Sequence, residues 1–264
     1  MLRLPSSPAW LALSPRQVGL ARGNRGRAEP LGALDVVAQP GDKPASVIAA
    51  VLDAAAELLD EHAITRTRLH TVLSDRMVRY VLIPFSPAYL DPREERALCL
   101  ARFAELYGPM SSWPVAIDRA RHGKARMACA LPLELAQGLT ELLAARSLAA
   151  GTVVPHFVSS WNSQRRALAR QAGILAVIEP DSVVFGHFKQ SAWSALRTHF
   201  ADVDCGALEK LIMRERLHQQ CDPATPVWLC GSVSIPVATD PTVRAIAPKC
   251  TQSALAMALA AACP

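Results

Sequence analysis

Trp10-Leu11-Ala12-Leu13-Ser14-Pro15-Arg16-Gln17-Val18-Gly19-Leu20 places apolar runs on either side of a polar bend in which Pro15 fixes φ. This spacing predicts a β-hairpin. Displaced by 165 residues, Leu175-Ala176-Val177-Ile178-Glu179-Pro180-Asp181-Ser182-Val183-Val184-Phe185 brackets a second bend of the same form, with Trp10 meeting Leu175, Leu13 meeting Ile178, Pro15 meeting Pro180 and Leu20 meeting Phe185. An amphipathic helix follows each hairpin, over 45–61 in the first case and 206–218 in the second, and each helix leads to a strand pair, at 69–85 and 227–237. Few residues are identical, so the order of elements and the proline bend in register carry the inference of an internal duplication.

The segment between the copies is less regular. Asp91-Pro92-Arg93-Glu94 opens a helix with proline in its first turn and acids at its positive end, and Gly108-Pro109 closes it. Residues 115–118 and 125–130 alternate as a hairpin, 133–149 is helical, 153–158 is a short strand and 164–171 a helix. Asp42 or Ser46 is the expected cap of the first long helix. Of 264 residues, 51% are hydrophobic and 19% charged, with a mean hydropathy of +0.17, which excludes a disordered or collagen-like chain. Only five of the 28 basic residues are lysine, so the net charge of +5 reflects arginine usage more than a recognition surface. Seven cysteines, an odd number with no C-x-x-C pair, point to reduced thiols. The apolar stretch at 10–13 is too short for a signal-peptide core, and the longest apolar tract, 254–263, is about half the roughly 18 residues that a spanning helix needs. The expectation is a soluble, cytoplasmic chain.

Two lobes of strand–strand–strand–helix–strand–helix form with a small unit between them outline the actin-like (ribonuclease-H-like) fold, an α/β two-lobe architecture with a small inserted α+β subdomain. The block Leu73-Ser74-Asp75-Arg76-Met77-Val78-Arg79-Tyr80-Val81-Leu82-Ile83-Pro84, the Glu94-Glu95 helix ending at Glu105-Leu106-Tyr107-Gly108, and the stretches at 116–118 and 127–132 resemble the PilM and GspL group. These are actin-like cytoplasmic proteins of type IV pilus and type II secretion machines. The expected boundaries are a first lobe at 1–109, an insertion at 110–163, and a second lobe with a C-terminal tail at 164–264. The resemblance implies capture of the short cytoplasmic tail of an inner-membrane partner beside the first lobe and the insertion. It makes Arg79, Val81, Ile83, Phe103 and Tyr107 the candidate partner-binding residues, unless the apolar 254–263 segment closes that face.

Actin-like ATPases place an Asp-x-Gly turn in each hairpin, where backbone N–H groups hold phosphate and the acid orients hydrated Mg²⁺. Here both turns are centred on proline, which removes a donor, and neither expected glycine is present. Glu179 would repel a triphosphate, and Cys230-Gly231-Ser232 preserves only one glycine at the late turn. The fold without the ATPase is therefore expected: no catalytic residue, no cofactor and no metal. His218-x-x-Cys221 with Cys230 has metal-ligand residue types but no fourth ligand at a known spacing. No G-x-S-x-G elbow supports a hydrolase. Arg16, Arg22, Arg25 and Arg27 lack the interleaved aromatics of a nucleic-acid surface. A nucleic-acid-processing enzyme would need acids on the first hairpin strands, and 10–13 and 18–20 contain none.

The leading reading is a non-catalytic platform protein of a pilus or secretion machine, held at the inner membrane by a partner and binding neither nucleic acid nor a small molecule. The alternative is a nucleotide-binding actin-like ATPase with divergent phosphate loops.

Overall fold

The structure is a computed structural model that describes residues 7–24, 27–37, 41–86, 91–110, 113–118, 123–200, 204–231, 240–246 and 253–262. Strands β1 (Ala9–Leu13), β2 (Gln17–Asn24) and β3 (Arg27–Asp35) form an antiparallel meander, and helix α1 (Pro44–Glu61) leads to β4 (Arg68–Leu73), which lies parallel to β1. The stripe Ile48, Val51, Ala55, Leu58 and Leu59 buries α1 on this sheet, at roughly 1.5–3 kcal/mol for each large side chain. Neither Asp42 nor Ser46 caps the helix. Lys43 is the N-cap, without a side-chain bond, and Pro44 supplies the preorganised first residue.

A single 3₁₀ turn, Asp75–Met77, carries the chain from β4 into β5 (Arg79–Ile83), helix α2 (Pro92–Tyr107), β6 (Val115–Ile117) and β7 (Arg126–Ala130). Asp91 caps α2 by accepting from Arg93 N at 2.8 Å, and Gly108, with φ of 80°, ends it as the sequence predicts. Helix α3 (Leu133–Ala145) then packs on α1, β8 (Ala149–Pro155) joins β4 in parallel, and α4 (His156–Leu168) crosses to the second lobe. That lobe comprises β9 (Ala172–Glu179), β10 (Ser182–Lys189), β11 (Ala192–Phe200), α5 (Cys205–His218), β12 (Val227–Gly231) and β13 (Val243–Ala245); α6 (Ser253–Ala262) follows.

The two main sheets have the orders β3-β2-β1-β4-β8 and β11-β10-β9-β12-β13. Their hairpins pair in the same register. Leu13 opposes Val18 and Leu11 opposes Leu20, while Ile178 opposes Val183 and Ala176 opposes Phe185, each at the 165-residue offset.

The insertion has different contents from those expected. A third sheet, β5-β7-β6, draws β5 away from β4, so the small unit is built from 79–130 with α2 on its face. The expected insertion at 110–163 therefore loses α3, β8 and α4 to the main lobes. The cause is the 3₁₀ turn, which redirects the chain after Leu73 and prevents β4 and β5 from pairing as a hairpin.

The C-terminal segment also differs from the expected tail. Helix α6 lies on the first lobe's sheet, seating Ala254, Met257, Ala258 and Ala261 against Ala12, Ala21 and Val72. It does not close the face of the insertion. Conversely, α4 leaves the first lobe and packs Phe157 and Trp161 against Phe188 and Trp193 of the second. Each lobe thus contributes a helix that lies on the other's sheet. Among the described residues no helix is long and apolar enough to cross a membrane. Arg25, Ser232 and the outer part of the strand expected at 227–237 lie outside the described residues.

Candidate functional site

The lobes meet where their hairpin turns face each other. Ser14 Oγ donates to Gln17 O at 2.8 Å and accepts from Gln17 N at 3.0 Å, which tightens the first turn around Pro15. In the second, Glu179 ends a strand whose preceding residues, Ile174–Ile178, are all buried, and the strand carries its carboxylate into the junction at 2% exposure. A buried carboxylate is costly unless every lone pair is met. Glu179 receives four donors: Ser74 Oγ at 2.5 Å and Ser182 Oγ at 3.2 Å on Oε2, with Asp75 N at 3.1 Å and His156 Nδ1 at 3.0 Å on Oε1.

Asp75 lies beside it, fully enclosed. Its Oδ1 accepts from Tyr80 Oη and from Phe157 N at 3.1 Å, and its Oδ2 has no hydrogen-bond partner. Burial, reinforced by the charge of Glu179, pushes the Asp75 carboxyl up to about 7. For Glu179 the same burial is overcome by the hydrogen bond and charge of His156 and by Ser74 and Asp75 N, so it stays below the usual carboxylate range. Burial would lower His156, but its bond to Glu179 and the nearby negative charge raise it. The junction thus pairs an ionised Glu179 with a histidine whose protonated form that carboxylate favours, beside an acid that holds its proton near neutrality. Asp75, His156 and Glu179 are metal-ligand residue types whose ligand atoms lie within 4.8 Å of one another.

Outside this core, Asp181 bridges the lobes, 3.5 Å from Arg16 Nε and 3.6 Å from Arg76 Nε. Ser74 N also donates to Leu13 O at 2.8 Å. The fold implies a magnesium nucleotide in this region, and the residues present do not fit its phosphates. Proline occupies both turns, and the backbone and hydroxyl donors at the junction are engaged by Glu179 and Asp75. Gly231, at the late turn, has a different use. A Cβ there would overlap Ile178 O, so glycine lets β12 approach β9 closely.

The five residues named from sequence separate into two groups. Val81, Ile83 and Phe103 are 3%, 2% and 0% exposed, packed with Cys99, Met110, Ala128 and Ala130 between β5 and α2. The alternation of β5 turns 81 and 83 toward α2, so the insertion's own helix occupies the face expected to take a partner. Arg79 and Tyr107 do come together near the surface. The Arg79 guanidinium lies over the rings of Tyr107, Trp113 and Phe200 at 5.9, 5.7 and 5.4 Å, and Tyr107 Oη donates to Tyr80 O at 2.9 Å. Phe200, 46% exposed, also takes Arg76 at 4.8 Å, so the end of β11 forms a seam with the insertion. Sequence reasoning missed Phe200 and the Asp75–His156–Glu179 cluster. The available signal was Glu179 itself, a carboxylate directly after five apolar strand residues.

No family model matches the chain, and no curated protein matches it. Solved structures do. A Bacteroides thetaiotaomicron protein of unknown function with an actin-like ATPase fold aligns with a TM-score of 0.65 at 11% identity, covering 97% of this chain and 95% of that one. The cytoplasmic domain of EpsL, an inner-membrane component of the Vibrio cholerae type II secretion system, gives 0.60 at 12% identity, over 97% and 93% of the two chains. A chain of a PilM–PilN type IV pilus biogenesis complex gives 0.58 at 15% identity, over 98% of each. The resemblance to the PilM and GspL group seen in the sequence therefore extends to the whole backbone. Identities this low speak to architecture, and on that ground the chain has the two-lobe actin-like fold.

Proposed function

We propose that this protein is a non-catalytic assembly protein of a type IV pilus-like or type II secretion-like machine, and that it docks the cytoplasmic tail of an inner-membrane partner. The observation that carries this reading is the self-satisfied junction: Glu179 takes up the donors that a phosphate would need, and Arg16, Arg76 and Asp181 tie the turns together over it. The similarity to the EpsL cytoplasmic domain and to the PilM–PilN complex supports the choice of machine. The buried positions 81, 83 and 103 leave the docking role to the seam of Arg79, Tyr107 and Phe200, next to exposed Leu106. A short tail would bind there through a few apolar anchors packed on the aromatic rings.

Isothermal titration with magnesium ATP tests the first half: the expected affinity is weaker than about 1 mM, near −4 kcal/mol, and micromolar binding would restore the nucleotide-dependent reading. Site-specific photo-crosslinking from position 106 in membranes tests the second. The expected product joins this chain to a protein with a membrane span and disappears in folded Phe200→Glu. Loss of neither product nor membrane association in that variant refutes the seam as the docking surface.

A further inference from the structure

The interlobe network leaves Asp75 Oδ2 without a hydrogen-bond partner, on a residue with no exposure. The other oxygen, Oδ1, takes the two donors that reach this side chain, Tyr80 Oη and Phe157 N. An enclosed carboxylate oxygen left bare is costly, and in a native fold such an atom calls for a water or an ion. The surrounding donors narrow the choice. Asp75, His156 and Glu179 each place one ligand atom within 4.8 Å of the other two, and all three side chains are buried. His156 Nδ1 and Glu179 Oε1 are 3.0 Å apart, the separation of two ligands at right angles on an ion with bonds of about 2.1 Å.

Charge points the same way. Two carboxylates share this enclosed volume with one imidazole, so even a protonated His156 balances only one of them when both are ionised. Among the described residues no lysine or arginine forms an ion pair with Asp75 or Glu179, and Arg16 and Arg76 are engaged by Asp181 instead. A divalent cation neutralises both carboxylates and leaves the imidazole neutral, taking the place of the proton on Asp75 and of one on His156. A water-sized cavity lined by Ser14, Ser74, Glu179 and Asp181 reaches the cluster from the turns, which provides an entry path and room for a water ligand.

We propose that Asp75, His156 and Glu179 bind one Zn²⁺ ion that clamps the two lobes together. Two carboxylate oxygens and an imidazole nitrogen suit zinc, which is content with four ligands. Ca²⁺ takes six or more oxygens and Mg²⁺ keeps several waters, and this enclosed cluster has no room for either shell. The ligands come from three elements: Asp75 from the 3₁₀ turn after β4, His156 from the first residue of α4, and Glu179 from the end of β9. Asp75 belongs to the first half of the chain and Glu179 to the second lobe, so the ion forms its full set of bonds only when the lobes are closed. In an actin-like ATPase the acids orient a hydrated magnesium carried by the nucleotide, whereas this ion is held directly by protein side chains and needs no nucleotide. Its role is structural and is separate from the docking seam.

The test uses the full chain, reduced and stripped with a chelator, with Zn²⁺ itself as the probe. Calorimetry near neutral pH is expected to show one ion per chain with submicromolar affinity. Folded Asp75→Asn, which keeps the shape of the cluster and removes one anion, is expected to bind at least about a hundredfold more weakly. Zinc is expected to raise the urea midpoint of the wild type and to leave that of Asp75→Asn unchanged. Co²⁺ bound in place of zinc is expected to show no thiolate charge-transfer band, because no cysteine belongs to the cluster. A wild-type affinity of about 1 μM or weaker overturns the proposal without any variant, as does a thiolate band from bound cobalt. Undiminished zinc binding in folded Asp75→Asn overturns it equally.

Discussion

Ser14 in the first lobe and Glu179 in the second stand at the same register position, one residue before the proline of their respective turns. Ser14 bonds only within its own turn among the hydrogen bonds described, whereas Glu179 accepts from Ser182 in its turn and also reaches across the junction to Ser74, Asp75 and His156. One backbone thus supports a local polar closure in one lobe and an interlobe bond in the other. A duplicated frame does not require duplicated chemistry, and in this chain the second copy supplies the group that joins the lobes.

The largest effect expected from breaking this asymmetry comes from Glu179→Ala, which leaves His156, Ser74 and Asp75 N without their acceptor in a buried site. A loss of about 3–5 kcal/mol is expected in urea unfolding near neutral pH. The cluster also sets a pH signature. The folded pKa of Asp75 is raised from 3.8 to about 7, so its contribution is complete below the unfolded value and is lost as pH rises from about 4 to about 7. His156, also raised, contributes fully below its unfolded value near 6.5 and loses that contribution as pH rises through its folded value. Glu179 is lowered from 4.5, so its contribution holds above that value and is lost as pH falls through its folded one. Stability should therefore decline from mildly acidic to alkaline pH. Asp75→Asn, which mimics the protonated acid, should flatten the decline and be at least as stable as the wild type near pH 8. A steeper decline in the variant would contradict the assignment of a protonated Asp75.

The sheet registers show what was legible in the sequence. Alternation and proline placement depend on local sterics, so both hairpins and the caps of α2 can be read from residues close together in the chain. The membership of β5 could not be read in this way. Arg79–Ile83 is a good strand in either sheet, and the 3₁₀ turn at 75–77 decides between them through the bonds of Asp75 and Ser74 to residues more than 80 positions away. The same reason hid the site: Asp75, His156 and Glu179 are brought together only by tertiary packing. Surface and core positions on β5 were confused because α2, which covers Val81 and Ile83, has a weak apolar stripe, with only Cys99 and Phe103 buried along its length.

A second comparison concerns the helices exchanged between lobes. Ala21 and Gly186 stand at the 165-residue offset. Ala21 faces α6, whose Ala254, Ala258 and Ala261 approach closely, while Gly186 faces Phe157 of α4 and Trp193. A Cβ at 186 would overlap the Phe157 ring and lie 2.6 Å from Trp193 Cζ3, so small residues permit close approach on opposite sides of the two contacts: on the helix in one lobe and on the strand in the other. Gly186→Ala should cost about 1–3 kcal/mol through overpacking. Combining it with Phe157→Leu should recover part of that loss, and strict additivity of the two changes would show that the ring is not the obstacle.

The smallest effects separate the two turns most finely. Ser14→Ala removes three local hydrogen bonds, to Gln17 O and from Gln17 N and Arg16 N, and should cost about 1 kcal/mol. Arg16→Ala removes an ion pair to Asp181, but the Arg16 side chain is 61% exposed and Arg76 faces the same carboxylate at 3.6 Å. Solvent screening and that second cation should hold the change within about 0.5 kcal/mol. Removing Arg76 as well leaves Asp181, only 16% exposed, without either cation, so the double variant should lose more than the sum of the single ones. Chemical denaturation of the three variants decides this. An additive double variant would mean that the outer ion pairs do not act together.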